Sequence, residues 1–323
     1  MTAFISRAEL LASGFTPAEI RGHLATGAWT SVARGRYVTK PGGAHGSVGE
    51  RHAVRTHAEL SRFRSEAIVA SHRSAAVLHG LPLLGPKPGL VEVTRDGVNG
   101  SRTSSSVQVR ASKVPPEDRV RIDGTAVTSV ARTLVDLARH DEPLQAIAAA
   151  DRALATERVT GSEVAAAMAR LGSAPGLPAA RRVLQRADGR AHSVGETRQR
   201  IVLEDGGITG LAFQIEIRDD HGGFIGRTDA GLVELGILIE FDGKEKYTKY
   251  LRPGERMSDA VLREKKREDA LRALGWMVLR FDWSDLRRPD DVVQRVGQEI
   301  EHRQEARLPR GSVMAADPVR ITF

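Results

Sequence analysis

Three acids stand close together in the C-terminal third of the chain: Asp229 in Arg227-Thr-Asp, then Glu240 and Asp242 in Ile239-Glu-Phe-Asp-Gly. Carboxylates gathered on one surface repel each other unless a cation or a shared proton stands between them. Their hard oxygen atoms suit Mg²⁺ or Mn²⁺. A divalent cation held in this way can neutralise a scissile phosphate and help to deprotonate a water, which is the chemistry of phosphodiester hydrolysis. That chemistry also uses a backbone carbonyl, for which Phe241 is placed, and a cationic side chain. Lys244, Lys246, Lys265, Lys266 and Arg267 are all near enough in sequence to supply the cation.

The elements that must position these groups are two strands and a helix. Ile225–Val233 and Ile237–Glu240 read as short strands joined by a tight hairpin at Val233-Glu234-Leu235-Gly236. A turn centred on Glu234 and Leu235 makes paired residue numbers sum to 469, which sets Asp229 opposite Glu240. Facing residues of an antiparallel pair have Cβ atoms about 5 Å apart. Asp242, two residues further on, points to the same side. Glu196 lies in the first turn of a helix over Ser193–Leu203. It reads either as a further metal-side carboxylate packed across the sheet or as an acid compensating the helix dipole. The order from Ser193 is helix, strand, turn, strand, strand, helix (from Ser258 or Asp259), strand (Trp276–Trp283) and helix (Pro289–Glu305).

The N-terminus has a different character. Ser6 caps a helix over Arg7–Ala12, and Thr16-Pro17 opens a second. Two short strands, Trp29–Ala33 and Gly35–Thr39, follow as a wing with Arg34, Arg36 and Lys40 at its tip and edge. Residues 1–64 hold nine Lys/Arg against four Asp/Glu, a net of +5 within a whole-chain charge of +7. A basic helix-turn-helix with a wing predicts contact with the phosphates of double-stranded DNA. The alternative is a small helical cap that binds no DNA. Pro41–Gly46 is a linker by composition, and helices are expected over Val48–Phe63 and Ser65–Leu81. His72 and His79 share a face of the second and read as structural, since no third ligand is near. Strands are expected near Leu90–Thr94, Val107–Ala111 and Val120–Ile122, then Ala-rich helices over much of 142–187.

At 323 residues the chain is long enough for two or three domains, and 41% hydrophobic residues can fill their cores. It has no cysteine, which excludes disulfides and thiolate metal sites and fits a reducing, cytoplasmic setting. No apolar run approaches the roughly 18 residues of a membrane span, and no secretory leader pattern opens the chain.

Five pieces carry a resemblance in the last part of the chain: Gly195-Glu-Thr-Arg, Arg227-Thr-Asp, Ile239-Glu-Phe-Asp-Gly-Lys-Glu-Lys-Tyr247, Glu264-Lys-Lys-Arg-Glu-Asp269 and Leu274-Gly-Trp-Met-Val-Leu-Arg-Phe-Asp-Trp283. Together they resemble the PD-(D/E)XK restriction-endonuclease-like domains related to very-short-patch repair endonucleases. The resemblance implies an αβββαβ core and Mg²⁺- or Mn²⁺-assisted DNA hydrolysis, with Glu196, Asp229 and Glu240 at the acidic positions. One position departs: where that pattern has lysine two residues after the second acid, this chain has Asp242, so the cation must come from elsewhere, such as Lys246 or Lys266. Ala33-Arg-Gly-Arg-Tyr37, Ser71-His-Arg-Ser-Ala-Ala-Val-Leu-His-Gly-Leu81 and Thr128-Ser-Val-Ala-Arg-Thr-Leu-Val-Asp136 are similar to AbiEi-type antitoxins of type IV toxin–antitoxin systems. That likeness implies promoter binding and contact with a nucleotidyltransferase toxin.

The expected architecture is therefore an α/β multidomain protein. It comprises a winged helix-turn-helix over 1–45, an α+β middle domain with the Ala-rich helices over 46–190, a restriction-endonuclease-like domain over 191–307 and a loose tail over 308–323. The expected function is a DNA-binding protein with a metal-dependent endonuclease domain. The alternative is a non-enzymatic, antitoxin-like regulator whose nuclease fold serves binding. A homodimer would suit either duplex cleavage or a palindromic operator.

Overall fold

A computed structural model describes residues 4–39, 46–63, 65, 67–84, 89–97, 100–243 and 256–323. The protein is a mixed α/β chain with three sheets among the described residues. It divides into two compact units, residues 1–187 with 321–323, and residues 188–320. No described helix is long and apolar enough to cross a membrane.

The first unit begins with β1 (Ile5–Ser6), α1 (Arg7–Ala12), α2 (Pro17–Ala25), β2 (Trp29–Ala33) and β3 (Arg36–Thr39), the strands ordered β1-β3-β2. Ser6 and Thr16 accept the Glu9 and Glu19 amide N–H groups, and those glutamates reach back to the cap amides. Each such box satisfies donors that a helix start otherwise leaves unpaired. Leu10, Ile20, Trp29 and Tyr37 close a small core.

The unit continues through α3 (Val48–Leu60), β4 (Ile68–Ala70), α4 (His72–Leu78), β5 (Val91–Arg95), β6 (Arg102–Thr103), β7 (Val107–Ala111), β8 (Arg119–Ile122) and β9 (Thr125–Thr128). Here the expected helix over Ser65–Leu81 is corrected. Only His72–Leu78 is helical; Ile68–Ala70 is a strand near the middle of a six-stranded sheet ordered β6-β7-β5-β4-β9-β8. Three apolar residues buried between two pairing strands have no periodicity to separate them from the start of a helix. His72 and His79 are both buried, His79 Nε2 lying 2.7 Å from the Thr128 carbonyl. Helices α5 (Val130–His140), α6 (Pro143–Ala155), α7 (Gly161–Arg170) and α8 (Leu177–Leu184) follow. Ala146, Ala149, Ala150 and Ala153 of α6 are fully buried in their shared core.

The second unit runs α9 (Val194–Asp205), β10 (Ala212–Arg218), β11 (Phe224–Leu232), β12 (Ile237–Phe241), α10 (Met257–Ala273), β13 (Met277–Phe281), α11 (Pro289–Arg303) and β14 (Ser312–Met314). Its sheet is ordered β13-β12-β11-β10-β14, with β12 and β13 parallel and the other neighbours antiparallel. Every residue of β12 is buried. Ile237 and Ile239 pack with Leu203 of α9 and Val292 and Val296 of α11, while Leu238 packs with Leu271 of α10. A strand covered on both faces reads as a continuous apolar run, and the Ile-Leu-Ile of this one is interrupted only by Glu240.

The stretch from Leu308, expected to be loose, contains β14 paired to β10 and Ile321 buried among the helices of the first unit. A strand added along β10 satisfies a sheet edge that would otherwise be open. The short Ser-Val-Met segment gives too brief a pattern to reveal that in advance.

Candidate functional site

The hairpin builds the site first. β11 and β12 pair as Ala230↔Ile239, Gly231↔Leu238 and Leu232↔Ile237, all in the register that sums to 469. A short 3₁₀ turn over Val233–Leu235 closes it, with Gly236 at φ 66° and ψ 34°. That left-handed conformation is open to glycine at little cost. One step beyond Ala230↔Ile239, the same register sets Asp229 opposite Glu240. Asp229 is half-buried, and its Oδ2 accepts the Phe241 amide N–H at 2.8 Å. Phe241, expected to lend a carbonyl, thus contributes its N–H to the neighbouring acid.

Glu196 enters from α9. Ser193 caps that helix by accepting the Glu196 N–H at 3.2 Å. Glu196 Oε2 in turn accepts the His192 N–H at 2.9 Å and Gln214 Nε2–H at 3.1 Å. Glu196 thus serves the helix start, as one of the two sequence readings has it, and its side chain also reaches Gln214 on the sheet. The helix can approach so closely because residue 195 is glycine: a Cβ there would lie 1.9 Å from the Phe241 ring.

Gln214 is a site residue that sequence reasoning missed. The pairs Phe213↔Ala230 and Ile215↔Thr228 flank it and put it across from Asp229. Its φ is +52° in the middle of a strand, a conformation costly for a residue with a side chain and most often kept where a site requires it. Nothing in Phe-Gln-Ile-Glu-Ile signals that backbone.

Glu196, Asp229, Glu240, Asp242 and Glu264 line one cavity of about 410 Å³ together with Gln214, and Arg227, Arg263, Arg267 and Arg280 stand in the same lining. The arginines are the second feature that the sequence understated. Glu240, only 2% exposed, receives Arg267 Nη2 on both oxygens at 2.7 and 2.9 Å, with Arg280 Nη2 at 3.4 Å. A buried carboxylate without such partners would be costly. Glu264 accepts from Arg267 and Arg280, each at 2.6 Å. Arg280 also lies 3.0 Å from Glu268 and 3.6 Å from Asp242. Arg280 sits beside Glu240 on the adjacent strand, so a cation faces Asp242 from β13 rather than following Glu240 on β12. Burial raises the Glu264 pKa, but hydrogen bonds and charge from Arg267 and Arg280 outweigh it and bring it down to about 2. Arg267 loses some proton affinity to burial and gains more from Glu264 and Glu240.

Lys246 and Lys244 lie outside the described residues, as does Lys40. Lys265 and Lys266 are exposed on α10. Arg34 is exposed at the β2–β3 turn, whereas Arg36 is half-buried, its Nε donating to Ser61 Oγ at 2.9 Å. Among the described residues no three His, Asp or Glu side chains are set to hold a metal ion by themselves. The donor chemistry nevertheless fits Mg²⁺, which takes one or two carboxylates and completes its shell with water and substrate phosphate oxygens.

No known family profile matches the chain. It is similar to two proteins described only as uncharacterized, from Mycobacterium tuberculosis strains CDC 1551 / Oshkosh and H37Rv. Each is 32% identical over 187 residues, 58% of this chain. The match spans 66% of each relative, just under two thirds of its length.

Proposed function

We propose that the second unit is a metal-dependent phosphodiester hydrolase of the restriction-endonuclease-like kind, and that the N-terminal helices and wing bring it to double-stranded DNA. The observation that carries this reading is the gathering of Glu196, Asp229 and Glu240 into one cavity from a helix start and two adjacent strands. Asp229 and Glu240 would hold Mg²⁺ or Mn²⁺. The bound cation would supply charge neutralisation and a more acidic water. Glu196 and Gln214 form a hydrogen-bonded pair beside Asp229 and orient its surroundings. Arg267 and Arg280 present guanidinium groups to the same cavity, where bidentate donors suit a phosphate and its developing negative charge. Arg280 and Arg267, together with Lys246, are the candidates for the cation that Asp242 does not provide.

The test is cleavage of supercoiled plasmid by the full chain with Mg²⁺ or Mn²⁺, comparing wild type with Asp229→Asn and checking the fold by circular dichroism. Removing a carboxylate worth about 3 kcal/mol of transition-state stabilisation slows cleavage by on the order of a hundredfold. Equal cleavage by the two proteins would sink the proposal.

A second reading draws on a specific observation: Arg267 takes both oxygens of Glu240. In that reading the chain is an antitoxin-like repressor that binds its promoter through Arg34, docks a nucleotidyltransferase toxin on the middle segment and cuts nothing. A promoter band shift abolished by Arg34→Gln and untouched by Asp229→Asn, with no cleavage by wild type, is its signature.

A further inference from the structure

A second cavity lies wholly within the first unit and shares no residue with the acid-lined cavity of the second. It is a groove of about 990 Å³ between the β2–β3 wing, α3 and the β6–β7 hairpin. Arg34 comes from the wing, Arg51, Arg55 and Arg62 from α3 and the residues just after it, and Arg102 from β6. Arg51 and Arg55 are four apart on α3 and share a face of it, and Arg62 lies in the turn just past its end. The lining has a single acid, Glu59, which is buried and paired to Arg62. Five guanidinium groups against one carboxylate leave the groove at a formal +4.

Three of these arginines are partly held in place: Arg62 by Glu59, Arg55 by the Gly89 carbonyl at 2.7 Å and Arg51 by that of Gly46. The Arg34 and Arg102 side chains are exposed. The rest of the wall is rich in hydroxyls, Ser104 and Ser105 among them, and Phe63 stands 38% exposed within it. An exposed aromatic ring beside guanidinium groups is a surface on which a base can stack.

We propose that this groove binds a single-stranded polynucleotide. Each of the three elements lining the groove contributes a cation, which suits a thin strand lying between them; a duplex meets a protruding element instead. Phosphates would lie against Arg34, Arg51 and Arg102, with a base on Phe63. The groove shares only Arg34 with the duplex-binding reading and nothing with the second unit's cavity.

The experiment is fluorescence anisotropy on the full chain in EDTA, which silences metal-dependent cleavage and so separates this proposal from the hydrolase reading. The probes are a labelled 12-nucleotide oligodeoxynucleotide, the same sequence as RNA, a 24-base-pair duplex and inorganic polyphosphate. Arg51→Gln/Arg102→Gln should weaken single-strand binding at least about tenfold and lower the slope of log K on log salt by about 1.4, two phosphates' worth. Phe63→Leu should weaken both oligonucleotides about tenfold and leave polyphosphate unchanged. Tighter binding of the RNA or of the DNA arm identifies the sugar. Wild-type affinity in the double arginine variant overturns the proposal, and so does polyphosphate binding as tight as the oligonucleotide or a Phe63→Leu variant without effect.

Discussion

Glu264→Gln probes the charge network that holds the cavity wall. Glu264 sits on α10 and accepts from Arg267 and Arg280, the two arginines that also reach Glu240. Its pKa falls from the ordinary 4.5 to about 2, which corresponds to about 3.4 kcal/mol at about 1.36 kcal/mol per pH unit. The side chain is 36% exposed, so solvent screening reduces the expected contribution to about 1–2 kcal/mol. Because the folded-state pKa is the lower one, this stabilisation is whole above about pH 4.5 and disappears as pH falls through about 2. The variant should therefore lose about 1–2 kcal/mol at pH 7 and converge on wild type near pH 2. Urea unfolding followed by tryptophan fluorescence reads it out. A Trp29→Phe background leaves only Trp276 and Trp283, both in the second unit. Equal midpoints at pH 7, with the same decline between pH 4.5 and 2, would refute the idea that the arginines are held by Glu264.

Two further perturbations address the same framework and the first unit. Gly195→Ala drives a Cβ into the Phe241 ring and should destabilise the second unit by about 1–3 kcal/mol, with a changed emission from Trp283, whose ring lies 5.1 Å from Phe241. In the first unit, burial first and then the charges of Arg55 and Arg73 hold the His52 pKa down at about 4. The unfolded chain takes that proton first, so stability falls as pH drops from about 6.5 to 4, by at most about 3.4 kcal/mol. His52→Gln should flatten that decline, measured by Trp29 fluorescence in a chain lacking the other two tryptophans.

The local chemistry of this chain was readable without a fold. Ser6 and Thr16 announce helix starts because a side-chain oxygen two or three residues from an unpaired N–H needs no distant partner. The β11–β12 register was readable too, because a four-residue connection leaves the flanking strands little freedom and an apolar run fixes which way they face. Asp229 and Glu240 could thus be set opposite each other by counting. Glu196 could be placed at a helix start, though not beside Gln214.

Other features were decided only by tertiary packing. Arg267 and Arg280 lie in two of the sequence pieces that carry the nuclease resemblance, but their convergence on Glu240 comes from β13 pairing in parallel with β12 and α10 packing beside it. Gln214 takes a positive φ within a strand, which no local pattern announces. Ile68–Ala70 is a strand because β5 and β9 pair on either side, and Ser312–Met314 is one because β10 has an edge to cover. Short-range hydrogen bonds and turns are written in neighbouring residues. Pairing between distant segments, and the balance of charge where they meet, exists only once the chain has folded.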